Sequence, residues 1–363
     1  MMYIAISIFI FSIVQWVIAF VNYIKPETLS PSGRIYDDLV SVLIPARNEE
    51  HHIGNILNDL SNHPYRNLEI LVFDDESTDR TSDIILEFAS KDPRIHLVRS
   101  TGLPEGWLGK NHACHVLASQ AKGSFYLFLD ADVRVHGNLI SDSLNFMNQH
   151  KLGLLSVFPS QIMVTPGEKA TVPVMNVVLL SLLPLLLVRK SVRSSFAAAN
   201  GQYMLFNASL YRKMQPHERL KNRRVEDIEI SRLYKKEGIR IACLTGVSDV
   251  TCRMYQGYWE AVKGFSRSVI QFFGGSKILA VTYGLVSALG FIPILIVFPI
   301  RFFIYYVLIH VLRRIFISRT SHQSIGENLL YAVIQQLSLL LFILRAIMLE
   351  RKGGMFWKER LVS

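Results

Sequence analysis

Cysteine is scarce in this 363-residue chain: Cys114, Cys243 and Cys252 are the only three. An odd, sparse set supplies no disulfide framework, no pair has the spacing of a zinc site, and the folded part therefore belongs in a reducing compartment. Charge is missing altogether from Tyr3 to Ile24, and a helix of that length crosses a hydrocarbon core of about 30 Å. No basic region precedes this stretch and no small-x-small site follows it, so it reads as an anchor rather than a cleaved signal peptide. No nucleic-acid-binding motif accompanies the net charge of +10. The excess suits an anionic membrane surface, as does the 50% hydrophobic content, and nucleic acid is excluded as a partner. Lys25 and Arg34 follow the first apolar run while no Lys or Arg precedes it, which puts the next segment in the cytoplasm.

What is present from Leu39 to Ile162 is an alternation of short apolar runs with amphipathic helices, the pattern of an α/β fold with a mostly parallel sheet covered by helices on both faces. Strands are expected at Leu39 to Ile44, Leu68 to Phe73, Arg94 to Val98, Ser124 to Leu129 and Leu154 to Phe158. Between them, one helix carries Ile53, Ile56, Leu57 and Leu60 on one face. Another carries Ile84, Ile85 and Phe88, and a third runs from Asn111 to Lys122 and stops at Gly123. Later, Val225 to Gly238 forms a helix with Val225, Ile228, Leu233 and Tyr234 inward and three acids in its first turn. Acids there complement the helix dipole, which needs no chemistry.

Three polar clusters fall where strands leave the sheet: Pro45-Ala46-Arg47-Asn48-Glu49, then Asp74-Asp75 with Ser77-Thr78-Asp79, then Asp130-Ala131-Asp132. In a parallel sheet these carboxyl ends share one rim, the usual ligand edge of an open α/β fold. Acids two apart can hold a hard divalent cation through oxygen and leave positions for phosphate oxygens. The same spacing also suits an ordinary turn, and Ser77, Thr78 and Asp79 suit helix caps. His112, Cys114 and His115 lie on one helical stretch with no second pair, so they are expected to pack against the sheet rather than bind zinc.

As an ordered set, together with Trp107-Leu108-Gly109-Lys110-Asn111-His112-Ala113-Cys114 and Arg253-Met254-Tyr255-Gln256, these landmarks resemble glycosyltransferase family 2 with its GT-A fold. The resemblance covers about residues 39 to 275 and is nearest the membrane-bound branch acting on carotenoid-type or hopanoid-type lipids. It implies a nucleotide-diphosphate sugar donor, UDP favoured, and Mg2+ or Mn2+. It implies that Asp75 reads the base and that Pro45, Ala46, Arg47 and Glu49 line the base pocket. Asp130 is implied near ribose and metal, Asp132 on the metal across the diphosphate, and Lys110 near the leaving group. Asp227 matches the base of inverting members, with Glu226 as substitute, and Asn200-Gly201-Gln202 matches the acceptor-side strand. Processive members carry Gln-x-x-Arg-Trp where this chain has Gln256 and Trp259 without the Arg, a departure that favours transfer of a single sugar.

The resulting expectation is an anchor at 1–25, a cytoplasmic GT-A domain at 37–275 with an apolar interfacial segment at 174–188, transmembrane helices at 276–350 and a basic tail at 351–363. The spans are expected at Ile278 to Ile300, Phe302 to Leu312 and Leu329 to Leu349, in a multi-pass protein of the cell membrane with a lipid acceptor. The alternatives are a polyprenyl-phosphate glycosyltransferase, a processive polysaccharide synthase and a non-catalytic nucleotide-binding subunit.

Overall fold

The computed structural model describes residues 1–34 and 36–351 and the backbone of 356–357 and 360–361; the rest of the basic tail lies outside the described residues. Two units emerge, one from Glu27–Ser160 and Leu187–Cys252, the other from Met1–Pro26, Gln161–Leu186 and the chain from Arg253 on.

In the first unit, strands buried on both faces come from unbroken apolar runs. Val40–Ala46 (β1) and Leu68–Asp74 (β2) pair in parallel with Val40 opposite Leu68, and Ile95–Arg99 (β3) adds to the outer side of β2. Phe125–Leu129 (β4), buried throughout, pairs in parallel with the other edge of β1. The sheet then changes character. With Val133–Val135 (β5), Leu154–Gln161 (β6), Tyr203–Asn207 (β7) and Ile241–Cys252 (β8), the order is β3-β2-β1-β4-β7-β6-β8-β5. β7 is antiparallel to both β4 and β6, and β5 is antiparallel to β8. The sheet is therefore mixed rather than mostly parallel. β8 escaped the sequence pattern because Gly246, Ser248 and Asp249 interrupt its apolar run.

The helices bury the faces their periodicity dictates. Ile53–Ser61 buries Ile53, Ile56, Leu57 and Leu60 completely. Thr81–Lys91 turns Ile85 inward with Ile84 and Phe88 against the same core. Gly109–Gln120 ends earlier than the run to Gly123 suggested, because Ala121 is already extended. Glu226–Lys236 buries Ile228, Ile230 and Tyr234, whereas Leu233 and Val225 are only half-buried.

The second unit is helical. Met2–Ile24 and Ala332–Arg351 are long and apolar enough to cross a membrane. The expected span Ile278 to Ile300 is two helices, Lys277–Leu289 and Phe291–Val297, bent by 54°. Phe302 to Leu312 lies inside one helix, Ile300–Thr320. The segment expected at 174–188 is also broken, into Pro173–Leu182 and Leu185–Lys190, with Pro184 at the break. Carbonyls freed there need partners. Buried Asn22 supplies them: its amide nitrogen donates to the Leu180 and Leu183 carbonyls at 3.0 and 2.9 Å, and its oxygen accepts from Leu185 N–H at 2.8 Å. Val174, Met175 and Val178 pack with Phe265, Phe342 and Ile343.

Gly123 shows how tightly β1 and β4 meet at their start. A Cβ there would lie 2.6 Å from the Leu39 carbonyl oxygen and 2.7 Å from Ser41 N, both backbone atoms. Gly123→Ala is expected to cost about 2 kcal/mol or more through overpacking, read as a lower melting temperature of the detergent-solubilised chain; an unchanged melting temperature would contradict this packing.

Candidate functional site

The rim begins with two loops laced together. After β1, Asn48 turns left-handed (φ 52°), and after β2 Glu76 does the same (φ 55°). The backbone N–H groups of Asn48, Glu49 and Glu50 donate to Ser77 Oγ, Thr81 Oγ1 and Asp79 Oδ2 at 2.8–3.0 Å, while Asn48 Oδ1 accepts from Thr78 N–H at 2.9 Å. Ser77 and Thr78 thus hold the neighbouring loop, and Asp79 serves both that loop and the Thr81 N–H of its own helix. The Arg47 guanidinium donates to the Asp75 carbonyl, and Asp75 N–H donates to the Ala46 carbonyl at 2.9 Å. Asp74 is buried and capped from within by Ser77 N–H and the Ser82 hydroxyl, leaving buried Asp75 as the rim acid.

Beyond β4 the acids converge because β7 runs antiparallel. Leu129 pairs with Tyr203, so the end of β4 meets the beginning of β7, and Asp130 N–H donates to the Gln202 carbonyl at 3.3 Å. Lys110, in the first turn of Gly109–Gln120, reaches this point: its Nζ lies 2.8 Å from Asp130 Oδ1 and 3.3 Å from Glu226 Oε1. Burial pulls the ammonium down, yet Asp130 and Glu226 outweigh it and hold Lys110 well above its ordinary pKa. Next to it, Asp227 accepts from Gly201 N–H at 3.0 Å and from its neighbour Ile228 N–H at 2.8 Å. Burial, then the charge of Glu226, pushes Asp227 up to about 7 against those donors and Lys110. Gly201 is small for a reason: a Cβ would lie 3.2 Å from Lys110 Nζ and 3.4 Å from Glu226 Oε1.

Asp132 faces the same rim. Burial, followed by the charges of Asp130 and Glu49, pushes it up to about 6. Its Oδ1 is buried without a hydrogen-bond partner. An orphaned carboxylate oxygen beside a second carboxylate is a hard-oxygen donor set, so the residues fit Mg2+ or Mn2+. Among the described residues no three His, Cys, Asp or Glu side chains could hold a metal by themselves. A cation at Asp132 and Asp130 would need further oxygens from a ligand. Behind Asp132, Gln202 Nε2 donates to Cys252 Sγ at 3.0 Å, and the Cys252 thiol bonds Asp132.

Pro45, Ala46, Arg47, Glu49, Asp75, Lys110, Asp130, Asp132, Gly201, Gln202, Glu226 and Asp227 all belong to the α/β unit; Gln256 and Trp259 belong to the helical unit. There Gln256 N–H donates to Glu260 Oε2 at 2.7 Å, and Trp259 is exposed. His112 packs edge-on to Phe73 of β2, His115 lies against Trp107, and Cys114 is buried beside Lys110. Sequence reasoning missed Asn111. Its buried amide donates to the carbonyls of Leu220, Lys221 and Arg223 at 2.9, 3.2 and 2.9 Å, tying the Lys110 helix to the loop that delivers Glu226 and Asp227. Its adjacency to Lys110 was the available signal. Cys252 had none, since only the fold brings it to Asp132.

A model of Glycosyl transferase family 2 matches residues 41–215. The 4,4'-diaponeurosporenoate glycosyltransferase of Staphylococcus haemolyticus (strain JCSC1435) is 27% identical over 231 residues, 63% of this chain and 60% of that protein. The protein of the same name from Staphylococcus aureus (strain USA300) is 27% identical over 265 residues, 70% of this chain and 66% of that one. The alignments thus span somewhat under two thirds of these relatives. Among solved structures, the mannosyltransferase PcManGT of Pyrobaculum calidifontis, in complex with GDP-Man and Mn2+, superposes with a TM-score of 0.57 at 17% identity, covering 95% of this chain and 98% of that one. That likeness establishes the GT-A fold.

The raised pKa of Asp227 has a consequence for stability. A carboxyl whose folded pKa lies above its unfolded value costs nothing while protonated in both states, and the cost grows as pH rises from about 4 to the folded value near 7. Asp227→Asn is expected to leave the melting temperature unchanged near pH 4 and to raise it by roughly 5 °C at pH 7.5 and above. A gain that does not grow with pH would refute the buried-charge account.

Proposed function

We propose that this chain, which belongs to glycosyl transferase family 2 and is a glycosyltransferase, moves a single sugar from a nucleotide-diphosphate sugar to a hydroxyl or carboxyl group of an isoprenoid-like lipid, with inversion at the anomeric carbon. The supporting observation is the convergence of Lys110, Asp130, Glu226 and Asp227 around Gly201 at the carboxyl edge of the sheet. A departing nucleoside diphosphate gathers negative charge, and fixed cations aimed at it lower the barrier.

In this reading the laced loops form the base platform, with Asp75 at its edge. UDP is the favoured nucleotide. Lys110, held protonated by its two acids, stabilises the leaving diphosphate. Asp130 and Asp132 would hold a divalent cation, which supplies charge neutralisation at the diphosphate when bound. Asp227 takes the proton from the acceptor hydroxyl as its oxygen attacks the anomeric carbon opposite the diphosphate. The acceptor class follows the names of the Staphylococcus relatives, and the helices able to cross a membrane suit a lipid substrate. The orientation with the α/β unit in the cytoplasm, where nucleotide sugars reside, completes the proposal.

With a hydroxyl-bearing lipid, Asp227→Asn should lower kcat roughly a hundred- to ten-thousand-fold, with the KM for the donor little changed. A carboxylate acceptor is already ionised, and with it the loss should stay within about tenfold. Because a base must be deprotonated, wild-type kcat/KM should rise with pH through about 7 and level off above it. Nucleotide release from detergent-solubilised protein, measured with a panel of UDP- and GDP-sugars and extracted lipids, reads all three; equal activity of wild type and Asp227→Asn on every acceptor would remove Asp227 as base. Chelation should abolish release and added Mn2+ or Mg2+ restore it in wild type, whereas Asp132→Asn should need roughly tenfold more metal or stay inactive. Undiminished turnover in chelator would sink the metal assignment.

A further inference from the structure

The first turn of Gly109–Gln120 carries two side chains with different tasks. Lys110 reaches the acid cluster, whereas Asn111 points to another side of the helix, since successive residues lie about 100° apart, and is only 1% exposed. Its amide nitrogen sits among three carbonyl oxygens, those of Leu220, Lys221 and Arg223, at 2.9, 3.2 and 2.9 Å. The same loop is held by Leu108 N–H, which donates to the Lys221 carbonyl at 2.8 Å. It is closed on itself by Arg223 N–H, which donates to the Leu220 carbonyl at 2.9 Å.

Only Arg224 and Val225 separate the last of these carbonyls from Glu226. Glu226 returns to the helix start through its 3.3 Å contact with Lys110 Nζ, and Asp227 follows in the chain with its carboxylate on Gly201 N–H at 3.0 Å. Lys110, Asn111, the loop and Glu226 thus close a ring in which one link is an ion pair and another is a hydrogen-bonded amide. In the proposed reaction Lys110 also serves the leaving diphosphate, so the ion pair is shared with substrate. The amide link is not shared. Chemistry singles out an amide for this place: three carbonyls facing one atom need a donor, and the NH2 of Asn has two hydrogens to divide among them. A carboxylate of the same shape would set oxygen against oxygen, and a serine hydroxyl has one hydrogen to give.

We propose that Asn111 is a positioning residue for the base: by fixing the loop that leads into Glu226, it holds Asp227 at a set distance from Lys110 and so from the bond that breaks. This role rests on the reading of Asp227 as base and Lys110 as leaving-group cation. Asn111 acts through Asp227 and takes no part in the proton transfer.

The test is a double-mutant cycle on the detergent-solubilised full chain, read as nucleotide release from UDP- and GDP-sugars with a hydroxyl-bearing lipid and as melting temperature. Asn111→Asp keeps the size and removes the donor. It is expected to lower kcat about a hundredfold with the KM for the donor little changed, the effect of a displacement of about 1 Å at reacting groups. In an Asp227→Asn background it should have no further effect, because the group through which it acts is gone. Asn111→Ser keeps one donor, is the milder variant for folding, and should fall between Asn111→Asp and wild type. Melting temperature needs no turnover. The pH-dependent stabilisation by Asp227→Asn comes from a buried carboxyl, and a loop set free lets water reach it. That stabilisation should vanish in Asn111→Asp and persist in Gly123→Ala, which loses stability at the start of β4 instead. Equal fold losses in the wild-type and Asp227→Asn backgrounds, or a pH-dependent stabilisation that survives Asn111→Asp, would overturn the role of Asn111 and leave Asp227 as base. Full activity of Asp227→Asn alone would instead remove the base, and the positioning role with it.

Discussion

One ammonium holds together a group of acids that would otherwise repel one another. Lys110 contacts Asp130 and Glu226 directly and lowers the cost of charge on Asp132 and Asp227. Close carboxylates in a shielded place cannot all ionise cheaply, and the arrangement persists because a cation sits among them. Much of the local architecture serves to put it there: the start of Gly109–Gln120 aims the lysine at the rim, and Asn111 fastens the loop before Glu226 to the same helix. Lys110 is therefore a packing element of the acid cluster and, in the proposed reaction, a catalytic group as well. The residual negative charge around Asp132 is what a hard cation would neutralise.

Topology explains why so few contacts suffice. In a wholly parallel sheet every strand would bring its carboxyl end to the rim. Here the antiparallel β7 brings its amino end instead, so Gly201 and Gln202 arrive beside Asp130 with backbone groups ready to donate and accept. The donor side and the acid side of the rim come from strands of opposite direction, joined by one register in which Leu129 faces Tyr203.

The legible part of the chain was the part governed by local rules. Unbroken apolar runs gave β1, β2 and β4, and the polar residues that end them gave Asp75, Asp130 and Asp132. Spacing on the helical face gave Ile53, Ile56, Leu57 and Leu60 their burial. The illegible part depends on contacts distant in sequence. Gly201 N–H holding Asp227, Cys252 bonding Asp132 and Asn111 gripping residues 220–223 each join segments that no periodicity links. Ile230 replaced Leu233 on the buried face of its helix because the neighbouring elements, rather than the ideal period, decide which stripe is covered. In the helical unit, composition showed how long the apolar runs are but not the 54° bend, since an apolar run reads the same whether straight or broken.

The bonds made by Asn22 give the first helix a part beyond that of a tether. Its side chain completes the broken turn at Pro184, satisfying three backbone groups of a segment more than 150 residues away in sequence. Any apolar helix of equal length could fix a protein to a bilayer, but few would present an amide at that height and rotation. The N-terminal helix is therefore not an interchangeable leader: exchange it for a generic one and the carbonyls of Leu180 and Leu183 lose the amide that donates to them.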